Sequence, residues 1–265
     1  AFVMKKIGEV GVMEKPLPAN PGANDAIVKA TTALVCTSDV HTVKGAIGER
    51  TDQTLGHEAC GVVDRVGSAV TLFKPGDRVV VGAITPCYKC ENCQRGFTSQ
   101  CGEPLGGWKF ANIKDGNFAE YFHVNDADAN LTTIPNDVSD EAACYATDMM
   151  TTGFKGAENA DIVLGGTAVV FGLGPVGQMA AVGARLLGAG MVIAVDSIPH
   201  RLQLAKEYGA DVTIDLSKVD PIEKIMELTG GQGVDSAIEA VGNQSAIEAC
   251  INATRPGGTI SNFRR

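Results

Sequence analysis

Cys87, Cys90, Cys93 and Cys101 stand in a C-x2-C-x2-C-x7-C run. Four thiolates at such spacing satisfy a tetrahedral zinc ion completely and leave no position open for chemistry. Two blander readings compete. Disulfides need an oxidising compartment, whereas the expectation here is a chain without a secretory signal in a reducing cytoplasm. Burial as small hydrophobes sits poorly with Pro86, Lys89, Glu91, Asn92, Gln94 and Arg95, which make the segment polar and loop-like. A structural zinc is expected over residues 86–102.

A second metal site can be assembled from scattered donors. Leu55-Gly56-His57-Glu58 offers an imidazole beside a carboxylate, and Cys36 offers a thiolate upstream. Asp148 adds a carboxylate in the stretch Thr147-Asp148-Met149-Met150-Thr151-Thr152. Catalytic zinc takes three protein ligands of mixed sulfur, nitrogen and oxygen type, with water or substrate as the fourth. Singly, each residue has an ordinary explanation: a hydrogen-bonded histidine, a core cysteine, a solvated carboxylate. Spacing alone does not bring Cys36, His57 and Asp148 together; the fold must.

The elements that could do so divide into two textures. The chain has 265 residues, a length that suits two domains. It is 45% hydrophobic, enough for packed cores, and no apolar run approaches the ~18 residues of a membrane span. A net charge of −9 argues against nucleic acid or an anionic membrane as the main partner. Residues 1–150 carry short apolar runs broken by Gly, Pro, Asn and Asp, such as 26–30, 61–66 and 77–81, and predict a β-rich domain. From Thr167 to the end of a 151–265 domain, strand and helix patterns alternate. Strands are expected at 168–171, 191–195, 212–214, 234–239 and 258–261, with helices at 175–187, 200–208 and 221–228. That alternation implies an α/β fold with a parallel sheet. One helical segment from Asp140 to about Gly156 is expected to join the regions. Cys60, Cys144 and Cys250 are expected to be core thiols.

The first turn of the second region reads Gly172-Leu173-Gly174-Pro175-Val176-Gly177. It follows a predicted strand, opens a helix, and has Asp196 at the end of the next strand, 19 residues after Gly177. In that context G-x-G-x-x-G is a dinucleotide-binding fingerprint, with helix N-terminal amides facing the pyrophosphate. A carboxylate at Asp196 accepts from ribose hydroxyls and repels a 2′-phosphate, which favours NAD over NADP. Arg201 could offset part of that repulsion.

These motifs fall in the order found in the zinc-dependent medium-chain alcohol dehydrogenases, which the chain resembles from end to end. The resemblance rests on Gly56-His57-Glu58-Ala59-Cys60-Gly61 with Gly67 and Val70 behind it, on Cys36-Thr37-Ser38-Asp39-Val40-His41 ahead of it, and on the cysteine run. More narrowly, Thr37-Ser38-Asp39, Gly45-Ala46-Ile47-Gly48, Gly106-Gly107-Trp108-Lys109-Phe110 and 148–154 are similar to tetrameric bacterial secondary-alcohol dehydrogenases.

The resemblance implies a GroES-like catalytic domain and a doubly wound Rossmann domain. It implies two zincs per chain: one structural, and one catalytic on Cys36, His57 and Asp148 with Glu58 as an exchangeable fourth ligand. Ser38 would meet the alcohol hydroxyl and pass its proton toward His41 through the nicotinamide ribose. Ala83, Ile84 and Trp108 would line the substrate pocket, Thr152 would sit against the nicotinamide, and Val241-Gly242 would lie along the cofactor. The expected substrates are small alcohols, ketones or aldehydes, and the expected assembly is a homotetramer or homodimer. The NADP users of the narrower group carry a small residue in place of Asp196 and a basic one in place of Ile198; some also lack the structural cysteines. The resemblance further implies a last sheet strand and a C-terminal return beyond Arg265, leaving this Rossmann domain incomplete. Polyol, threonine or formaldehyde dehydrogenases share most of these motifs, and a non-catalytic NAD- and zinc-binding protein is the reading from another class.

Overall fold

The computed structural model describes residues 1–263. Two compact units divide the chain, one over Ala1–Asp148 and one from Met149 onward.

The first unit is built on two antiparallel sheets. In the smaller, β1 (Phe2–Lys6) lies between β2 (Glu9–Val12) and β4 (Gln53–Thr54). In the larger, β3 (Ala26–Leu34), β5 (Glu58–Val66), β6 (Arg78–Val81), β7 (Tyr121–Val124) and β8 (Leu131–Thr133) take the order β7-β3-β5-β6-β8. Both β6 and β7 alternate between half-buried and buried residues, the period of a strand with one covered face. Val28, Val63, Val79, Val81, Phe122 and Leu131 supply the covered face, and Phe110 meets Phe122 edge to face at 6.4 Å between centroids.

The β3–β5 pairing matters most for chemistry. It runs from Ala26↔Val66 to Leu34↔Glu58, so the residues after β3 and those opening β5 meet at one end. The register shifts twice on the way, between Ile27 and Val28 and between Ala30 and Thr32. Asp64 is the extra residue on β5 and Thr31 the extra residue on β3. β6 also ends there, with Val81 opposite Ala59. Short helices punctuate the loops: α1 (Thr37–Val43), α2 (Glu91–Gln94), α3 (Ala127–Asn130) and α4 (Asp140–Cys144).

The expected single helix from Asp140 to about Gly156 is two helices. After α4 a 3-10 turn spans Tyr145–Thr147, and Asp148 leaves the helical region at φ −147°, ψ −59°. Thr147 Oγ1 donates to Cys144 O at 2.7 Å, and Thr147 O accepts from Ala83 N at 3.1 Å. The tightening to a 3-10 turn and the non-helical backbone of Asp148 break the ladder, and the bond from Ala83 ties that break to another segment.

The second unit opens with α5 (Met149–Asn159) and then alternates: β9 (Thr167–Phe171), α6 (Pro175–Leu186), β10 (Met191–Asp196), α7 (Pro199–Glu207), β11 (Val212–Asp215), α8 (Pro221–Leu228), β12 (Val234–Glu239), α9 (Gln244–Ala253) and β13 (Thr254–Asn262). All pairings are parallel, in the order β11-β10-β9-β12-β13. Pro175, Pro199 and Pro221 each open a helix, where the missing N–H costs nothing. Strand β13 is longer than the expected 258–261. Apolar cores lie on both faces of the sheet, one around Val170, Val192 and Ala194, the other around Val169, Ile193 and Val195. That double burial gives these strands their continuous hydrophobic runs.

Candidate active site

The cysteine lobe gathers its four sulfurs as the spacing predicts. Cys87 Sγ lies 4.0 Å from Cys93 Sγ, and Cys90 Sγ lies 3.9 Å from Cys101 Sγ. These separations are far too long for a disulfide and near the ~3.8 Å edge of a tetrahedron with 2.3 Å metal–sulfur bonds. Lys89 N and Cys90 N donate to Cys87 Sγ, and Gly102 N donates to Cys90 Sγ. The Cys90 thiol is held down to about 6, first by the Gly102 N–H and then by the Cys93 backbone. Cys93 is pushed up to about 12, first by burial and then by Cys90. One thiolate suppresses the next, and a divalent cation is the partner that relieves all four. The donor set fits a closed zinc site.

A second donor cluster forms at the shared end of β3, β5 and β6. One ligand atom each of Cys36, His57, Glu58 and Asp148 lies within 4.8 Å of all the others. Cys36 follows β3, His57 precedes β5, Glu58 opens it, and the helix break supplies Asp148. His57 Nε2 stands 3.4 Å from Asp148 Oδ2 and 3.9 Å from Glu58 Oε1. Burial pushes the His57 imidazole down, but Asp148, Asp39 and Cys36 outweigh it and hold the group up to about 12. The mixture of sulfur, nitrogen and oxygen donors fits zinc, which would displace that proton on binding.

The surroundings add a residue the sequence reading missed. Asp39, buried in α1, accepts from Cys36 N at 3.0 Å through Oδ2 and from Gly56 N at 3.2 Å through Oδ1. Its Oδ1 also stands 3.5 Å from His57 Nδ1. Asp39 therefore orients two donor segments at once, and its signal was an acid three residues after Cys36, at a helix start. Ser38 Oγ lies 3.3 Å from His57 Nε2, inside the cluster. His41 is exposed one turn farther along α1. Thr85 and Gly107 exchange backbone hydrogen bonds of 3.2 and 3.1 Å, which join the segment that follows Ala83 and Ile84 to the one that precedes Trp108. Ala83 is buried, Ile84 is exposed and Trp108 is half-buried. Cys60, Cys144 and Cys250 are fully buried.

In the second unit, the glycine loop has the shape of a dinucleotide seat. Gly172 has φ +88°, a conformation glycine adopts without penalty. A Cβ at Gly177 would lie 1.8 Å from Gly172 O, while one at Gly174 would meet nothing within 4 Å. The loop is thus closed on the protein side and open at Gly174, where Pro175 and Val176 begin α6 and its free amides. Asp196 is buried; its Oδ2 accepts from Leu173 N at 2.7 Å, and its Oδ1 accepts from Ser197 N and Ile198 N at 2.7 and 2.9 Å. Arg201 Nη1 stands 3.6 Å from Asp196 Oδ2. Val241 and Gly242 follow β12, and Thr152 lies half-buried on α5.

Known proteins resemble this chain in sequence and in fold. Residues 22–136 match the alcohol dehydrogenase GroES-like domain, and residues 175–263 match the zinc-binding dehydrogenase family. An NADP-dependent isopropanol dehydrogenase of Thermoanaerobacter brockii is 55% identical over 263 residues, covering 98% of this chain and 74% of its own. The chain belongs to the zinc-dependent medium-chain alcohol dehydrogenases. A probable NADP-dependent isopropanol dehydrogenase of Mycoplasma pneumoniae is 50% identical, over 99% of this chain and 75% of its own. Among solved structures, alcohol dehydrogenase TADH from Thermus sp. ATN1 superposes with a TM-score of 0.89 at 33% identity, covering 100% of this chain and 77% of that one. Among the described residues of this family member, no helix is long and apolar enough to cross a membrane.

Proposed function

We propose that this protein interconverts small secondary alcohols and their ketones by hydride transfer with a nicotinamide dinucleotide, preferring NAD to NADP. The observation that carries the reading is the mixed donor cluster with the Ser38 hydroxyl inside it. When bound, zinc supplies the Lewis acidity that lets an alcohol ionise near neutral pH, and the dinucleotide accepts the hydride. The chain's own residues hold, orient and move a proton. Cys36, His57 and Asp148 would hold the metal, with Glu58 as the exchangeable donor. Ser38 Oγ would accept the hydroxyl proton while releasing its own toward His41, which, on the exposed side of α1, would pass a proton to solvent. Ala83, Ile84 and Trp108 exclude water and sort the two substituents by size. Thr152, Val241 and Gly242 line the cofactor. The names of the two relatives, an isopropanol dehydrogenase and a probable isopropanol dehydrogenase, support the secondary-alcohol class.

Coenzyme choice turns on Asp196. Those relatives are named for NADP, yet here a fixed carboxylate closes β10 and Ile198 follows it. A carboxylate about 5 Å from a phosphate costs about 3 kcal/mol per unit charge at an effective dielectric near 20. Arg201 is already drawn toward Asp196 and offsets only part of this. Spectrophotometric reduction of NAD and NADP with 2-propanol, 2-butanol, ethanol and a sugar alcohol is the test. The expected kcat/KM is higher with NAD and with the secondary alcohols, and Asp196→Gly shifts the ratio toward NADP. Equal kinetics with both coenzymes overturns the reading of Asp196, and preference for a sugar alcohol overturns the substrate class.

A further inference from the structure

We propose that Glu239 is a positioning residue of the dinucleotide cleft, whose carboxylate holds the Val241–Gly242 turn against the glycine loop. The inference rests on the dinucleotide reading above and extends it to a residue inside the protein wall.

Glu239 ends β12 and pairs with Phe171, the last residue of β9. From β9 the chain builds outward through β10 and β11, and then returns to build through β12 and β13 on the other side. The carboxyl ends of β9 and β12 therefore flank the switch point, where open α/β sheets bind ligands. At that point Glu239 Oε1 accepts from Val241 N at 2.8 Å and from Gly242 N at 2.6 Å. Ala240 N donates to Phe171 O at 2.9 Å, so three consecutive amides of the turn are fixed. The consequence is steric. Val241 is laid over Gly172, where a Cβ would stand 2.6 Å from Val241 Cγ2.

A packing role alone does not explain this side chain. Glu239 is 1% exposed, and its Oε2 has no hydrogen-bond partner among the described residues. A buried carboxylate is costly, and Ala237 and Ile238 just before it fill the same strand with apolar groups. What an apolar residue could not do is accept from both amides with a charge-assisted bond.

The test compares the zinc-loaded chain with Glu239→Gln, Glu239→Asp and Glu239→Ala by fluorescence titration with NADH. Thermal unfolding and zinc content are followed in parallel. Gln keeps an acceptor at the same reach and is expected to bind within about threefold of the parent. Asp is one methylene short and is expected to bind about tenfold more weakly, with Ala at least as weak. Cofactor KM should rise in the same order while kcat at saturating cofactor is held, a split that general unfolding would not give. If Ala fails to fold, the Gln and Asp variants carry the comparison. Asp binding within twofold of the parent, or Gln as weak as Asp, overturns the proposal. A parent that binds neither NADH nor NADPH overturns the functional reading instead.

Discussion

The cysteine lobe and the mixed donor cluster are built in the same unit by opposite means. The lobe closes within a stretch of fifteen residues, Cys87 to Cys101, and its sulfurs accept N–H groups from its own loop. The mixed cluster draws on residues 36, 57, 58 and 148, and only strand register and a broken helix bring them together. A local set of identical soft donors can close around a metal and add to folding free energy. A distributed set of unlike donors inherits its geometry from the fold, and in the function proposed above one of them, Glu58, is the position that exchanges with substrate. The difference between the two is the difference between a staple and a workplace.

The comparison can be broken from either side. The largest effect is expected from Cys90→Ser, which removes a donor from the closed set. It should lower stability by about 4 kcal/mol, roughly 10 °C in the unfolding midpoint, and leave the turnover of molecules still folded nearly intact. Asp148→Asn should do the reverse, cutting kcat about 100-fold with little change in unfolding temperature. Calorimetry and steady-state kinetics on both variants check the pair, and an exchanged pattern would mean that the two sites have been assigned backwards. Asp39→Asn should act on the mixed cluster alone, weakening zinc there about tenfold while the lobe keeps its metal under a chelator.

The smallest effect is one of pH. In the metal-free protein the His57 imidazole is raised from 6.5 to about 12. Its contribution to stability is fully present below pH 6.5 and is lost as the pH rises toward 12. Zinc binding must expel that proton, so uptake at the mixed cluster should strengthen with rising pH. Calorimetric titration in buffers of different ionisation enthalpy should detect the released proton, and a buffer-independent heat would contradict it.

Much of the architecture was legible in the sequence. The apolar runs from Thr167 onward announce buried parallel strands, and the glycine loop stands where the fingerprint requires. The cysteine lobe was equally plain, because its donors are neighbours along the chain. The mixed cluster was legible only as candidates, since nothing local in Cys36 or His57 encodes the Leu34↔Glu58 pairing. The stop at Asp148 was missed because Asp140 to Gly156 has an acceptable helical composition. The break at Asp148 is tied down by a hydrogen bond from Ala83, far away in sequence, which local composition cannot announce. Asp39 carried a signal that went unused, an acid three residues after Cys36 at a helix start, whereas the two amides that Glu239 accepts from leave no mark in residue type.

The two irregularities in the β3–β5 pairing have a consequence in reading frame. Asp64 adds one residue to β5 and Thr31 adds one to β3, and beyond both the strands are back in the register with which they began. Because Thr31 has no partner, deleting it should take out the bulge and leave Ala30↔Gly61 and Thr32↔Cys60 as adjacent pairs, with Leu34 still opposite Glu58. Deleting Asp64 should straighten β5 in the same way. A residue inserted between Thr32 and Leu34 finds no such slack, and a one-residue slip there turns side chains to the opposite face. Either deletion should therefore retain more zinc at Cys36 and His57 than that insertion, so that a loss proves milder than a gain.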